Sequence, residues 1–324
     1  MIAKDKPLLI TGAEGFVGSH LIEYFQQQGY TNLHGTALRS VENLRQKLGE
    51  DHAWQLDLED EQAVVELLQK VQPSGIIHLA ARPSVNESFT HAWLVLKTNV
   101  HLQLVMLEAM RVAAPQARLL SIGSAQEYGT VPAEYREKPL PETTPLQPNN
   151  PYAISKVTAE HLAQTYHQSY GLDVIQARPF NQIGPGQASA FAVASFAQQI
   201  VKIEQGEQQQ LLVGNLAAIR DFTDVRDAAA AYEVLLQTGE SGQVYNLGSG
   251  NGVSMQSLLD TLIELSTAQV QVEVDPQRLR PSDTPYFVAD NTKIAALGWT
   301  PRYPLQQTLT DILEYERQQK EKTS

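Results

Sequence analysis

The stretch Ile10-Thr-Gly12-Ala-Glu-Gly15-Phe-Val-Gly18 constrains the fold of this chain more than any other. It follows three apolar residues, Leu8-Leu-Ile10, and opens a helical pattern that ends near Gly29, a good terminating residue. A strand, a glycine turn and a helix in that order make a cradle for a dinucleotide. Gly12 permits the sharp turn, Gly15 lets backbone amides approach a pyrophosphate, and Gly18 allows the helix to pack close to the strand. The amides and the positive helix end then hold the anion. A glycine-rich turn with no ligand is the plainer reading, and placement on the first strand disfavours it.

Downstream, short apolar runs keep alternating with helical patterns, which predicts a parallel sheet with crossover helices. Leu33 to Ala37 reads as the second strand. The helix Glu61 to Val71 stops at Pro73 and leads into Gly75-Ile-Ile-His-Leu79; the helix Asn99 to Ala113 stops at Pro115 and leads into Arg118 to Ile122. Tyr152 to Ser169 reads as helix and Asp173 to Ala177 as strand. The fold class is therefore α/β, a Rossmann-type doubly wound sheet. After Pro179 the alternation loosens: Phe191 to Gln205 and Met255 to Leu265 read as helices, and Gln210 to Val213, Val244 to Leu247 and Val270 to Val274 as strands. The expected organisation is a dinucleotide-binding domain over 1–179, with segments near 217–248 and 285–292 returning to it, and a smaller substrate domain mainly over 180–324. The glutamines around 207–210 lie on a polar turn, and the tail Arg317 to Ser324 is expected to fray.

With 24 Lys and Arg against 36 Asp and Glu, the 324-residue chain carries a formal charge of -12 and no run of basic residues. That argues against nucleic acid or an anionic membrane as partner, since both reward basic patches. An acidic substrate must then be held by a few placed arginines. The absence of cysteine rules out disulfides, thiolate metal sites and a cysteine nucleophile, and fits a reducing compartment. The start, with Lys4, Asp5 and Lys6, is too short and polar for a signal peptide, and no apolar run approaches the roughly 20 residues of a membrane span. The expected location is cytoplasmic.

Cofactor choice is read at the end of the second strand, where an acid would accept from the NAD ribose and an arginine would suit the extra phosphate of NADP. The stretch Gly35-Thr-Ala-Leu-Arg39-Ser40 holds one arginine and no acid, which favours NADP(H), with NAD(H) possible. Arg39 also fits a solvated surface cation. Asp57, after the third strand, suits either the adenine amino group or a helix N-cap.

Tyr152-Ala-Ile-Ser-Lys156 places a tyrosine and a lysine on one helical face, within reach of one substrate atom and one cofactor. In isolation such a pair is usually a solvated one. Its company gives it meaning: Thr11 to Gly18, His78-Leu-Ala-Ala81, Asn99, Ser124, Tyr152-x-x-x-Lys156 and Arg220-Asp-Phe-Thr-Asp-Val-Arg-Asp227, in this order and spacing, resemble the extended short-chain dehydrogenase/reductase family over nearly the whole chain. By that resemblance Ser124, Tyr152 and Lys156 are the catalytic set, with Asn99 supporting the lysine, often through water. Gly12, Gly15, Phe16, Val17, Gly18, Arg39, Asp57, Leu58, Leu79, Ala80, Ala81, Asn99, Tyr152, Lys156 and Phe180 are expected around the cofactor. The resemblance further implies a homodimer formed through the Tyr152 helix and the helix before it, as a four-helix bundle.

A free tyrosine titrates near 10, but an ammonium about 4 Å away, at an effective dielectric of 20, favours the phenolate by up to about 4 kcal/mol, roughly three pK units. Burial opposes this, so three is a ceiling. Tyr152 would then pass a proton to a developing alkoxide while Ser124 hydrogen-bonds the same oxygen and the nicotinamide exchanges hydride.

Sugar-nucleotide 4,6-dehydratases of this family carry a carboxylate where this chain has Gln126, and an amide has no basicity to offer; Glu127, one residue along an extended segment, points the other way. Elimination is disfavoured. Arg178 to Gly186 and Val213-Gly214-Asn215-Leu-Ala-Ala-Ile-Arg220 resemble the corresponding stretches of GDP-sugar enzymes, although Gln182 stands where relatives often have histidine. Arg278-Leu-Arg280-Pro-Ser282 resembles a later phosphate-binding segment. Ser84, Ser124, Gln126, Asn181, Gly214, Asn215, Arg220 and Arg280 are thus expected at a GDP-sugar substrate, with salt bridges to Asp221 and Asp283 as the alternative for the two arginines. The implied reaction is NAD(P)H-dependent reduction of the C4 keto group of GDP-4-dehydro-6-deoxy-D-mannose to GDP-D-rhamnose. A GDP-mannose 4,6-dehydratase, a nucleotide-sugar 4-epimerase and a non-catalytic scaffold are its rivals.

Overall fold

Leu8–Thr11 (β1) is buried along its whole length, as a central parallel strand must be when helices cover both faces. The structure is a computed structural model that describes residues 1–278 and 284–323. The chain alternates from β1 through Phe16–Gln27 (α1), Leu33–Ala37 (β2), Glu42–Leu48 (α2), Ala53–Gln55 (β3), Glu61–Val71 (α3) and Gly75–His78 (β4). Val85–Thr90 (α4), Ala92–Ala113 (α5), Arg118–Ile122 (β5), Pro151–Tyr170 (α6) and Asp173–Pro179 (β6) follow. With Val244–Leu247 these strands form a seven-stranded sheet in which every pairing is parallel.

The order runs from the 244–247 strand through β6, β5, β4 and β1 to β2 and β3, so the winding reverses between β1 and β4. In an open α/β sheet, ligands bind at the carboxyl ends of the strands beside such a reversal. One face is sealed by α1 and α2 with the helix Val225–Thr238, through Leu21, Phe25, Leu44 and Tyr232. The other is sealed by α3, α5 and α6, through Leu67, Met106 and Tyr166.

The remaining elements are Asn181–Ile183 (β7), Ala192–Glu204 (α7), Gln210–Val213 (β8), Ile219–Asp224 (β9), Val225–Thr238 (α8), Val244–Leu247 (β10), Gly252–Ser254 (β11), Met255–Glu264 (α9), Gln271–Val274 (β12), Tyr286–Phe287 (β13), Thr292–Ala295 (α10) and Leu305–Thr323 (α11). β9 is flanked by β11 and β13 and also pairs with β7, while β8 pairs with β12. A separate apolar core joins α7, α9 and α11 through Phe196, Leu258 and Leu309.

Three readings change. α5 begins at Ala92, well before Asn99, because His91 and the α4 turn end the preceding segment earlier than periodicity suggested. The tail is helical as far as Thr323: Leu309, Ile312 and Leu313 are buried, and Arg317 makes a paired contact with Glu204 at 2.6 and 2.9 Å. The segment after Ser124 is not extended, since Ala125–Tyr128 is a single tight helical turn.

Candidate active site

The glycine turn fits the phosphate of a dinucleotide. Gly12 has φ of 65°, and a Cβ there would lie 3.1 Å from the Ala80 backbone, so the turn and the β4 end can meet only without a side chain. A Cβ at Gly18 would be 2.6 Å from Ala13 Cα, which accounts for the close packing of α1. Gly15 is the N-cap of α1 and gives it no side-chain cap, leaving helix N–H groups for an anion. Thr36 ties the turn to β2 by accepting from Gly12 N and Ala13 N, and Thr11 Oγ1 accepts from Ala80 N at 3.3 Å. Phe16, Val17 and Gly18 lie in the first turn of α1, and Leu79, Ala80 and Ala81 follow β4. Arg39 is exposed just past β2. Asp57 Oδ1 accepts from Glu59 N at 2.9 Å, and the cap of α3 is Asp60 instead. Leu58 and Phe180 are buried; Phe180 packs with Phe287 and Tyr128 in a small core under the Ser124 turn.

Asn150 caps α6 by accepting from Ala153 N at 2.8 Å, and Pro151 occupies the first turn, where its missing N–H costs nothing. These two residues fix where the helix begins, and therefore where Tyr152 and Lys156 project. Ser124 lies near enough to the Tyr152 phenol to pull its pKa down. Lys156 Nζ donates to Ile122 O at 2.8 Å, so the three candidate residues gather at the end of β5. All three are buried.

Electrostatically the site differs from the expectation. Burial pushes the Tyr152 phenol up to about 12, with Ser124 opposing and Glu127 adding to the rise. Burial also lowers the Lys156 ammonium to about 8, against a pull upward from Glu127. Desolvation therefore wins over any lowering of Tyr152 by the lysine, and the phenol is protonated at neutral pH. Asn99, expected to support the lysine, makes its direct side-chain bonds to Arg82 and Ser155. Its side chain accepts from Arg82 N at 2.7 Å and donates to Ser155 Oγ at 2.9 Å, pinning the loop after β4 to α6.

A buried acid that sequence reasoning set aside lies beneath the set. Glu127 has no solvent exposure, and its Oε1 accepts from Ser124 N at 2.6 Å while Ser124 Oγ accepts from Gln126 N. A Cβ at Gly123 would lie 2.4 Å from that oxygen, so a side chain there would push the carboxyl from its place. Arg178 holds Glu160 through two hydrogen bonds of 2.8 and 2.5 Å and passes 3.4 Å from Glu127. Burial and the neighbouring Glu160 raise Glu127 well above the usual carboxylate range. Tyr128 continues the network from Arg178 to Asn246 on β10. The readable signal was an acid directly beside an aromatic, Tyr128, and shortly after Gly123.

On the substrate side, Ser84 caps α4 and Asn181 donates to Asp221 O at 2.9 Å. Gln182, the departure from the family pattern, donates to the buried Tyr232 hydroxyl at 2.5 Å. A Cβ on Gly214 would lie 2.7 Å from Arg278 O, and Asn215 accepts from Ala217 N. Arg220 donates to Ile219 O and Thr284 O. Asp221 is wholly buried and accepts from Ser249, Gly250 and Ala289, so this motif acid organises three segments. Arg280 and Asp283 lie outside the described residues. An open surface depression of about 610 Å³ lies between α7 and β8, lined by Ser195, Gln198, Lys202, Gln209 and Arg278, and the glutamines of the polar turn border it.

A family model described as GDP-mannose 4,6 dehydratase matches residues 9–312. The chain belongs to the GDP-mannose 4,6-dehydratase family. Membership places it among the extended short-chain dehydrogenases and makes it a nucleotide-sugar oxidoreductase by kind. Within this family it is 34% identical to the GDP-6-deoxy-D-mannose reductase of Pseudomonas aeruginosa, over 94% of this chain and 95% of that one. A structure of RMD from Pseudomonas aeruginosa complexed with NADPH superposes with a TM-score of 0.84 at 31% identity, covering 97% of this chain and 99% of the other. The UDP-glucose 4-epimerase of Thermus thermophilus, complexed with NAD, gives 0.84 at 28% identity over 96% and 99%. Family membership alone thus spans reduction, dehydration and epimerisation.

Proposed function

We propose that the protein reduces the C4 keto group of GDP-4-dehydro-6-deoxy-D-mannose to give GDP-D-rhamnose, preferring NADPH to NADH. The observation that carries this reading is the placing of Ser124 near the buried Tyr152, with the phenol held protonated, beside an amide at Gln126. A keto oxygen gaining negative charge needs a proton donor and a second hydrogen bond, and this pair supplies both. Bound NADPH supplies the hydride. Lys156, protonated below about pH 8 and anchored on Ile122 O, presents donors toward a ribose. The glycine turn and the open start of α1 hold the dinucleotide phosphates, and Arg39 faces the 2′-phosphate. Gln126 gives no base for C5 proton abstraction, which is what separates this chemistry from dehydration.

The α7–β8 depression is our candidate for the nucleotide end of the substrate. Its amide side chains offer donors and acceptors to a base edge, while Lys202 and Arg278 answer the diphosphate of an otherwise acidic protein. Trp93, Leu94, Leu104 and Val112 on α5 and Ile154 on α6 are exposed apolar side chains, Trp93 by 74%, and they support a homodimer through these helices. Among the described residues no helix is long and apolar enough to cross a membrane.

The deciding experiment is incubation with GDP-4-dehydro-6-deoxy-D-mannose and NADPH or NADH, followed by NMR of the sugar. GDP-D-rhamnose supports the proposal. Keto-sugar formation from GDP-mannose without added reductant would instead establish a dehydratase and remove the argument from Gln126.

A further inference from the structure

The end of β2 carries no acid in sequence, yet the fold delivers one there from the glycine turn. Glu14 Oε1 accepts a hydrogen bond from Leu38 N at 2.9 Å. The turn is strapped to β2 by Gly12 N on Thr36 Oγ1 and Ala13 N on Thr36 O, so Glu14 is held over the strand end and not merely near it. Glu14, Leu38, Arg39 and Ser40 are all exposed, and Arg39 follows directly on the residue that Glu14 holds. A backbone N–H at a strand end is a donor suited to an anion, and here a side-chain carboxylate has taken it.

In this type of cradle the adenosine ribose of a dinucleotide sits at the end of the second strand. A carboxylate there accepts from ribose hydroxyls, whereas a 2′-phosphate is repelled by it and must also compete for the Leu38 amide. We propose that Glu14 is the residue that sets cofactor preference against Arg39: it accepts from the ribose of NADH and opposes the 2′-phosphate of NADPH. This rests on the dinucleotide reading above, and it explains how a chain bearing a phosphate-reading arginine could still admit both cofactors. The two side chains bring opposite charges to the same strand end. Like charges about 4 Å apart at a solvated surface shift an affinity by roughly tenfold.

The test uses the full chain without sugar, titrating NADPH and NADH separately and following dihydronicotinamide fluorescence. Glu14→Gln keeps an acceptor for Leu38 N and removes only the charge. The expected result is NADPH binding about tenfold tighter and NADH binding unchanged or a few-fold weaker, at unaltered melting temperature. Glu14→Ser, which also removes the long acceptor, should move the NADPH:NADH ratio the same way. An unchanged ratio in both variants, or equal weakening of both cofactors, overturns the inference while leaving the dinucleotide reading intact. Failure of the wild-type chain to bind either cofactor overturns both.

Discussion

Glu127 Oε1 accepts the Ser124 amide proton at 2.6 Å, so a carboxyl wholly removed from solvent sets the backbone of the residue that pulls the Tyr152 pKa down. Because burial and Glu160 favour the neutral acid, glutamine should replace it with little loss. Glu127→Gln is expected to cost less than about 1.5 kcal/mol, whereas Glu127→Ala, leaving a cavity and an unpaired amide, should cost about 3 kcal/mol and lower kcat with it. Urea unfolding of the two variants makes the comparison.

Tyr152→Phe should lose about 10²–10⁴ of turnover while retaining the wild-type Kd for NADPH. A Phe variant with near-normal kcat would sink the proton-donor role.

The pH dependence of reduction separates the two titrating groups. A phenol held near 12 stays protonated throughout the neutral range, so kcat/KM should be level there and fall only as Lys156 loses its proton around pH 8. An alkaline limb placed near pH 10 would assign the titration to the tyrosine and contradict this ordering.

Arg39→Ala should weaken NADPH about tenfold and NADH scarcely at all, as read by fluorescence titration. Equal weakening would show that the arginine does not meet the 2′-phosphate.

His78 is buried, hydrogen-bonded to Thr11 Oγ1 at 2.9 Å, and burial lowers it from 6.5 to about 3. The unfolded chain therefore binds the extra proton first, and stability present above pH 6.5 is lost as pH falls. Its share between pH 7 and pH 5 is about 2 kcal/mol, and His78→Gln should flatten that part of the urea midpoint against pH.

Much of this architecture was legible because local rules and tertiary demands agree. Gly12 and the stops at Pro73 and Pro115 act through their own backbone preferences, so β1 and the crossover helices before β4 and β5 could be read from neighbours in sequence. Glu127 was not legible in this way. Its burial depends on Glu160 and Arg178 arriving from α6 and β6, and on a tight turn that an alternating-strand rule misplaces. The Tyr152 titration failed for a related reason: pairing with lysine is visible as spacing, whereas the desolvation that outweighs it is visible only once the core closes. α11 escaped notice because its few apolar residues, Leu309, Ile312 and Leu313, sit among glutamines and charges. Glu14 was read only as part of a glycine motif, and its reach to Leu38 is a property of the fold.

The last strand of the large sheet, β10, pairs with β6 and brings Asn246 to Tyr128 at 2.7 Å, although β6 ends at residue 179 and β10 begins at residue 244. During synthesis the residues between them take roughly 3 to 13 s to emerge, at about 5–20 residues per second. Throughout that interval β6 has no partner on that edge and Arg178 lacks the Asn246 end of its network, so the pocket under Ser124 can be completed only after residue 246 has been made.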